Sequence, residues 1–186
     1  MVSVRAHRSG HRDPAEFASP LRVQPTPPLN KENDMEALDK DKAIEILNRI
    51  MEYELAGVVR YTHYSLMVYG YNRIPIVSWL RQQADEGLTH AHRAGELITL
   101  LGGHPSLAIG PLLESHQHQI GAILRESLAH EQEALKQYYE LFRLAEGKSV
   151  LIEDYARELI TAEEMHAGEI DKMLRNPGEV ATFQQP

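Results

Sequence analysis

Between residues 38 and 74 the chain has no proline, and apolar side chains recur at helical spacing: Ile44, Leu47, Met51, Leu55, Val58, Tyr61, Leu66 and Tyr69. A stripe this long with a 3.6-residue period is buried only by packing against other long helices. Three further segments share the property. Pro75 suits a first helical turn and opens one that runs to the Gly102-Gly103 stop. Another runs from residue 112 to Gly147, and the last from residue 150 to the Asn176-Pro177-Gly178 stop. The stretch "HPSLAIGPLLESH" is too rich in glycine and proline for a helix interior and too long for a tight connection, so it reads as a crossover between two helical hairpins. No strand pattern is found. The expected fold is all-α: a four-helix bundle, helices A to D, with a long crossover between B and C.

The bundle is expected to occupy residues 37–176. Residues 1–36 hold half of the ten prolines and read as a flexible Pro-rich arm, and residues 177–186 as a short tail. Arg5, Arg8 and Arg12 fall in the first twelve residues with no acid among them, so DNA binding through the arm stands beside an inert tail. The absence of cysteine excludes disulfides, thiolate metal sites and cysteine nucleophiles; any metal is held by oxygen and nitrogen. A net charge of −8, from 27 acidic and 19 basic side chains, argues against a general nucleic-acid binder and suits a protein that attracts cations. No apolar run approaches the roughly 18 residues of a membrane span, and the N-terminus lacks the apolar run of a secretory signal, so no membrane partner and a cytoplasmic location are expected.

Bundles of this kind build a two-metal site from one inward Glu on each of two helices and a Glu-x-x-His pair on each of the other two. Helix D supplies the pair directly, Glu163 three residues before His166. Helix B has His90, but Gly87 stands three residues before it and Glu86 four. Positions four apart still share a helix side, offset by about 40°. Helix A offers Glu52 or Glu54, and helix C Glu131 or Glu133. Glu54 lies in the apolar stripe seven residues before Tyr61, and Glu131 lies seven before Tyr138. Glu54 to His90 is 36 residues and Glu131 to His166 is 35, which a duplicated hairpin explains more simply than chance. Buried carboxylates and imidazoles are costly unpaired, and bound divalent metal removes that cost; oxygen-rich ligation with one histidine per ion suits iron or manganese.

With these residues in place, the segment from about 37 to 175 resembles bacterioferritin, the ferritin branch with a di-iron ferroxidase centre. The resemblance rests on "LNRIMEYELAGVVRY" in helix A, "DEGLTHA" and "LLGGHP" in helix B, Glu131 in helix C and "EEMHAGEID" in helix D. It implies a ferritin-like fold in which Glu54 and His90 hold one iron, Glu131 and His166 the other, Glu163 bridges, and Tyr61 beside the metals supplies an electron. It also marks departures. Gly87 stands where the family has its second bridging Glu, so Glu86, on a rotated or overwound helix B, is expected to replace that ligand. Leu88 stands where the family has its haem-binding methionine, so no haem is expected. Too few residues follow Gly178 for the family's fifth helix, so a 24-subunit shell with bulk mineral storage is not the expectation, and the size of the oligomer stays open.

The implied function is a ferroxidase that binds two Fe(II) and oxidises them with oxygen for iron storage or detoxification. The alternatives are a di-iron or di-manganese oxidase or peroxidase on the same fold, and a non-catalytic, DNA-associated mini-ferritin-like assembly protein. Self-association, at least to a dimer, is expected through helices A and B, with Trp79, Tyr64 and Tyr71 offering aromatic surface. The remaining candidates read as bland. Glu52, Glu133, Glu153, Glu158, Glu164 and Glu169 sit on solvated faces, His92 and Glu96 form a surface pair, and His104, His116 and His118 belong to the crossover. His63 and His130 read as non-ligands, and Tyr61 and Tyr138 equally as core aromatics bonded to buried carboxylates.

Overall fold

Asp39 is extended and its carboxylate accepts the amide of Lys42 at 3.0 Å, so the first helix starts on a side-chain cap. The computed structural model describes residues 37–113 and 115–180. Over these it contains α1 (Lys40–Met67), α2 (Arg73–Leu100), α3 (Ile120–Ala145) and α4 (Val150–Leu174), with no strand among the described residues. Ser149 caps α4 by accepting the Ile152 amide, and Gly147, at φ 68°, makes the left-handed turn that brings α4 back along α3. Gly70, at φ 93°, does the same between α1 and α2. The result is a four-helix bundle of two hairpins, α1 on α2 and α3 on α4, that meet chiefly through α1 and α3.

The crossover, residues 101–119, is tied along α1. Asn48 donates to the carbonyl of His104 at 3.3 Å and accepts the Ser106 amide at 2.7 Å, and the Gly110 amide donates to the carbonyl of Glu52 at 2.8 Å. Gly110 is required there, because a Cβ would come within 3.0 Å of the Glu52 carbonyl. This path starts α3 beside the C-terminal half of α1, so α1 and α3 run antiparallel: Arg60 meets His130, and Glu54 meets Tyr138.

Two apolar clusters form the core. The larger contains Leu47, Ile50, Ile98, Leu141, Ile152 and Leu159; the smaller contains Tyr61, Tyr64, Val68, Leu80 and Ile123. Along α1, α2 and α3 the same event separates them, a short polar interruption at Glu54, at residues 86–90, and at residues 127–131. The site described below occupies that gap.

Several sequence expectations need correction. Helix A does not continue through "VYGYN": Val68 is extended, its side chain is fully buried, and the Arg73 guanidinium donates to its carbonyl, closing α1 at Met67. Helix C starts at Ile120 rather than residue 112, because His116 takes a left-handed φ of 54° and Gln119 is extended. Leu66 and Tyr69, placed in the helix A stripe by periodicity, are exposed at 56% and 75%, and Ile46, Ile50 and Tyr64 fill the core instead. Tyr64 is therefore no surface aromatic, and Trp79 is half-buried edge-on against Tyr61; only Tyr71 stands fully out. The Arg5, Arg8 and Arg12 arm lies outside the described residues. No described helix is long and apolar enough to cross a membrane.

Candidate metal centre

In the gap between the two clusters, all four helices contribute to the wall of one cavity of about 20 Å³. Glu54 and Tyr61 come from α1, Glu86 and His90 from α2, Glu131 from α3, and Glu163 and His166 from α4. Every metal-ligand candidate of the sequence, together with Tyr61, is on this wall. The choices within each helix are also visible: Glu54, Glu131 and Glu163 are buried, whereas Glu133 is exposed and bonded to Lys136.

Glu163 holds the centre together. One of its oxygens lies 3.2 Å from Nδ1 of His90 and the other 3.4 Å from Nδ1 of His166, so a single carboxylate faces both imidazoles. Glu54 reaches the same His90 nitrogen at 3.6 Å. Glu54, His90 and Glu163 thus each offer a ligand atom within 4.8 Å of the other two, a span that one metal ion can bridge. The tyrosines complete a crosswise pattern: Tyr61 donates to Glu131, and Tyr138 donates to Glu54 at 2.6 Å. Each tyrosine follows the glutamate of its own helix by seven residues and, because α1 and α3 are antiparallel, serves the glutamate of the other.

Protons balance this centre in the absence of metal. Burial pushes the Glu54 and Glu131 carboxyls up, and the nearby Glu163 charge reinforces the shift. Burial also opposes charge on Glu163, but hydrogen bonds from His166, His90 and Glu131 outweigh it and hold Glu163 well below the usual carboxylate range. Burial alone would lower His90; the Glu163 and Glu54 carboxylates overcome it and raise His90 to about 10. Glu163, ahead of the opposing effect of burial, raises His166. Burial first, then the neighbouring glutamates, keep the Tyr61 and Tyr138 hydroxyls protonated as donors.

The signs define a pH window for the metal-free protein. The raised His90 contributes stability below its unfolded value of 6.5 and loses it as pH rises through about 10. The lowered Glu163 contributes above its unfolded 4.5 and loses it as pH falls through its folded value. Both contributions act together from slightly acidic to neutral pH. A metal ion bound on His90 would need the lone pair that its proton occupies. Titration of the metal-free chain with redox-inert Zn(II) in weakly buffered solution at pH 7 is therefore expected to release protons, and the affinity to rise with pH. Binding without proton release would show that His90 is already deprotonated.

The break in the helix B pattern resolves into two features. Gly87 faces α1: a Cβ there would lie 3.3 Å from Oε2 of Glu54 and 3.4 Å from its carbonyl oxygen, so the Glu54 carboxylate occupies the space beside the glycine. Glu86 lines the same cavity without an overwound turn, since α2 is an uninterrupted α-helix from Arg73 to Leu100. Its carboxylate is held by the amides of Gln82 at 3.0 Å and Gln83 at 3.1 Å, and it meets His166 at Nε2, 3.2 Å away. That nitrogen is the one opposite the Nδ1 facing Glu163.

The sequence reading omits four residues of the wall: Gly57, Gln83, Ala134 and, set aside as a non-ligand, His130. The available signal was Gly57, three residues after Glu54 and so on the same side of α1, where a missing side chain leaves room for a neighbour. A Cβ at Gly57 would come within 2.9 Å of Nε2 of His130.

The chain was compared with known proteins. No curated protein matches it at a significant level. A family model described as Ferritin-like domain matches residues 44–178. Among solved structures, a ferritin-like diiron-carboxylate protein from Bacillus anthracis superposes with a TM-score of 0.70 at 22% identity, covering 74% of this chain and 98% of its own. Bacterioferritin from Rhodobacter capsulatus, solved with a metal-free dinuclear site and haem iron, gives 0.67 at 26% identity, covering 72% of this chain and 84% of its own. Bacterioferritin from Desulfovibrio desulfuricans, whose diiron site was captured in different catalytic states, gives 0.64 at 24% identity, covering 73% of this chain and 79% of its own. With the family model spanning well over half of the sequence and the bundle matching these folds, the chain belongs to the ferritin-like domain family.

Proposed function

We propose that this protein is a ferroxidase that binds two Fe(II) ions in the cavity between its four helices and passes their electrons to oxygen. The observation that carries the reading is the placement of Glu163 against both His90 and His166, with Glu54 and Glu131 buried on either side. The donor set fits iron. It offers hard carboxylate oxygens and one imidazole for each ion, and four ionised carboxylates, Glu54, Glu86, Glu131 and Glu163, match the charge of two divalent cations. Manganese fits the same chemistry.

In this reading Glu54 and His90 hold one ion, Glu131 and His166 the other, and Glu163 joins them. Tyr61, bonded to Glu131, is the side chain placed to pass an electron. Glu86 takes a different task from the one its spacing suggests. With its oxygen on Nε2 of His166, it keeps the proton there and leaves Nδ1 free to face the metal. The bound ions supply the electrons, and the protein supplies fixed ligands and an apolar surround.

Assembly into at least a dimer accompanies the proposal. The test is to mix Fe(II) with the metal-free chain in air and follow Fe(III) formation together with oxygen consumption. Oxidation well above the protein-free rate, saturating with iron added per chain, is expected; a rate equal to buffer would overturn the ferroxidase assignment.

A further inference from the structure

His130 is a histidine in the wall of a metal cavity that is built so that it does not bind metal. It is 5% exposed, stacks on Tyr53 with ring centroids 4.4 Å apart and lies edge-on to Tyr61. Its Nδ1 is 2.9 Å from Nη1 of Arg60. A guanidinium only donates, so Nδ1 accepts and the ring proton of the neutral imidazole is on Nε2. Arg60 is itself buried and fixed, with Nη2 3.2 Å from the Tyr64 hydroxyl and 3.1 Å from the Glu126 carbonyl. The Nε2 edge lies over Gly57, a second residue of the cavity wall, in space that any side chain at 57 would take.

An imidazole with its lone pair occupied and its other nitrogen protonated has one function left toward the cavity, as a hydrogen-bond donor. We propose that His130 is a catalytic residue that donates its Nε2–H to the oxygen atoms of the oxidant, and that it favours hydrogen peroxide over dioxygen. This inference rests on the ferroxidase reading. Dioxygen is a poor hydrogen-bond acceptor, whereas a peroxide oxygen accepts well and accepts better as negative charge builds on it. In the reaction the O–O bond of hydrogen peroxide breaks. Each of two Fe(II) ions gives one electron, two protons come from solvent, and the products are two Fe(III) and two waters. His130 keeps its proton and stabilises charge on the departing oxygen, as a preorganised donor does in other oxyanion sites.

The experiment compares the parent chain with His130→Ala, His130→Gln and Gly57→Ala, whose added methyl displaces the ring. Three readouts are taken: anaerobic Fe(II) stoichiometry, oxidation rates with hydrogen peroxide and with dioxygen, and the 15N shifts of His130 in the metal-free parent. The expected result is unchanged stoichiometry in His130→Ala with peroxide oxidation slowed by about 10- to 100-fold and dioxygen oxidation far less affected. His130→Gln, which keeps an N–H donor, is expected to recover part of the loss, Gly57→Ala to share it, and the 15N shifts to place the proton on Nε2. Should His130→Ala not fold, the Gln and Gly57 variants carry the same comparison. A parent-like peroxide rate, equal slowing with both oxidants, loss of an iron, or a proton on Nδ1 would each overturn the proposal. Failure of the parent itself to oxidise Fe(II) would overturn the ferroxidase reading and with it the role of His130 toward an oxidant, while a proton on Nε2 would leave its bond to Arg60 standing.

Discussion

Glu163→Ala is expected to leave a folded chain that no longer holds two metal ions. Glu163 is the carboxylate that approaches both imidazoles, at 3.2 and 3.4 Å, and it also takes a hydrogen bond from Glu131. Its removal takes a ligand from each ion at once and leaves their charges unscreened across the cavity. Loss of a hydrogen-bond partner behind a ligand typically costs about 10- to 100-fold in affinity, so loss of the shared ligand is expected to cost more. The bundle should survive, because both apolar clusters lie outside the gap and the imidazoles that lose Glu163 can give up a proton rather than stay charged. Isothermal titration with Zn(II), alongside a helicity melt, makes the check. At most one weak ion is expected; two ions at parent affinity would remove Glu163 from the centre.

Glu86→Ala is expected to have the second largest effect, and its form discriminates between two roles. A residue that holds Nε2 of His166 is needed for affinity, so one of the two ions should weaken by about 10- to 100-fold while the count at saturation remains two. Glu86→Gln should retain most of the affinity, since its amide oxygen still accepts the Nε2 proton. A bridging ligand behaves otherwise: both substitutions would reduce the count, because a neutral amide does not replace a carboxylate between two cations. The distances favour the first pattern, with Glu86 on the far nitrogen of the ring and held there by Gln82 and Gln83.

The parts of the molecule that follow a period were legible in advance. Four long apolar stripes, proline and glycine stops and a Gly/Pro-rich connection lead to a bundle with a long crossover, and Glu163 with His166 is read directly from its spacing. Glu54 was separable from Glu52, and Glu131 from Glu133, by a tyrosine seven residues later. That pairing had a meaning the linear sequence did not carry: each tyrosine serves the glutamate of the opposite helix, which depends on α1 and α3 being antiparallel. Helix ends were less legible. Tyr69 and Leu112 continue an apolar pattern past the point where a buried Val68 and a left-handed His116 stop the backbone.

The site's least legible members are those whose role depends on a partner from another helix. Glu86 and His90, four residues apart, are offset by only about 40° around the helix, so both side chains come near the cavity, and spacing does not say which ring nitrogen Glu86 meets. His130 follows no ligand spacing at all. It is explained by Gly57 and Arg60, two α1 residues about one and two turns from Glu54, the first an absent side chain and the second a buried cation.

The central claim is that this cavity holds a pair of Fe(II) ions despite the glycine at position 87. Anaerobic titration of Fe(II) into the metal-free chain, followed by calorimetry and by the magnetic signature of coupled ions, tests it most directly. The account predicts saturation at two Fe(II) per chain, with the coupling lost in Glu163→Ala. Saturation at one ion, or no binding, would show that Gly87 ends the dinuclear site and would contradict the account.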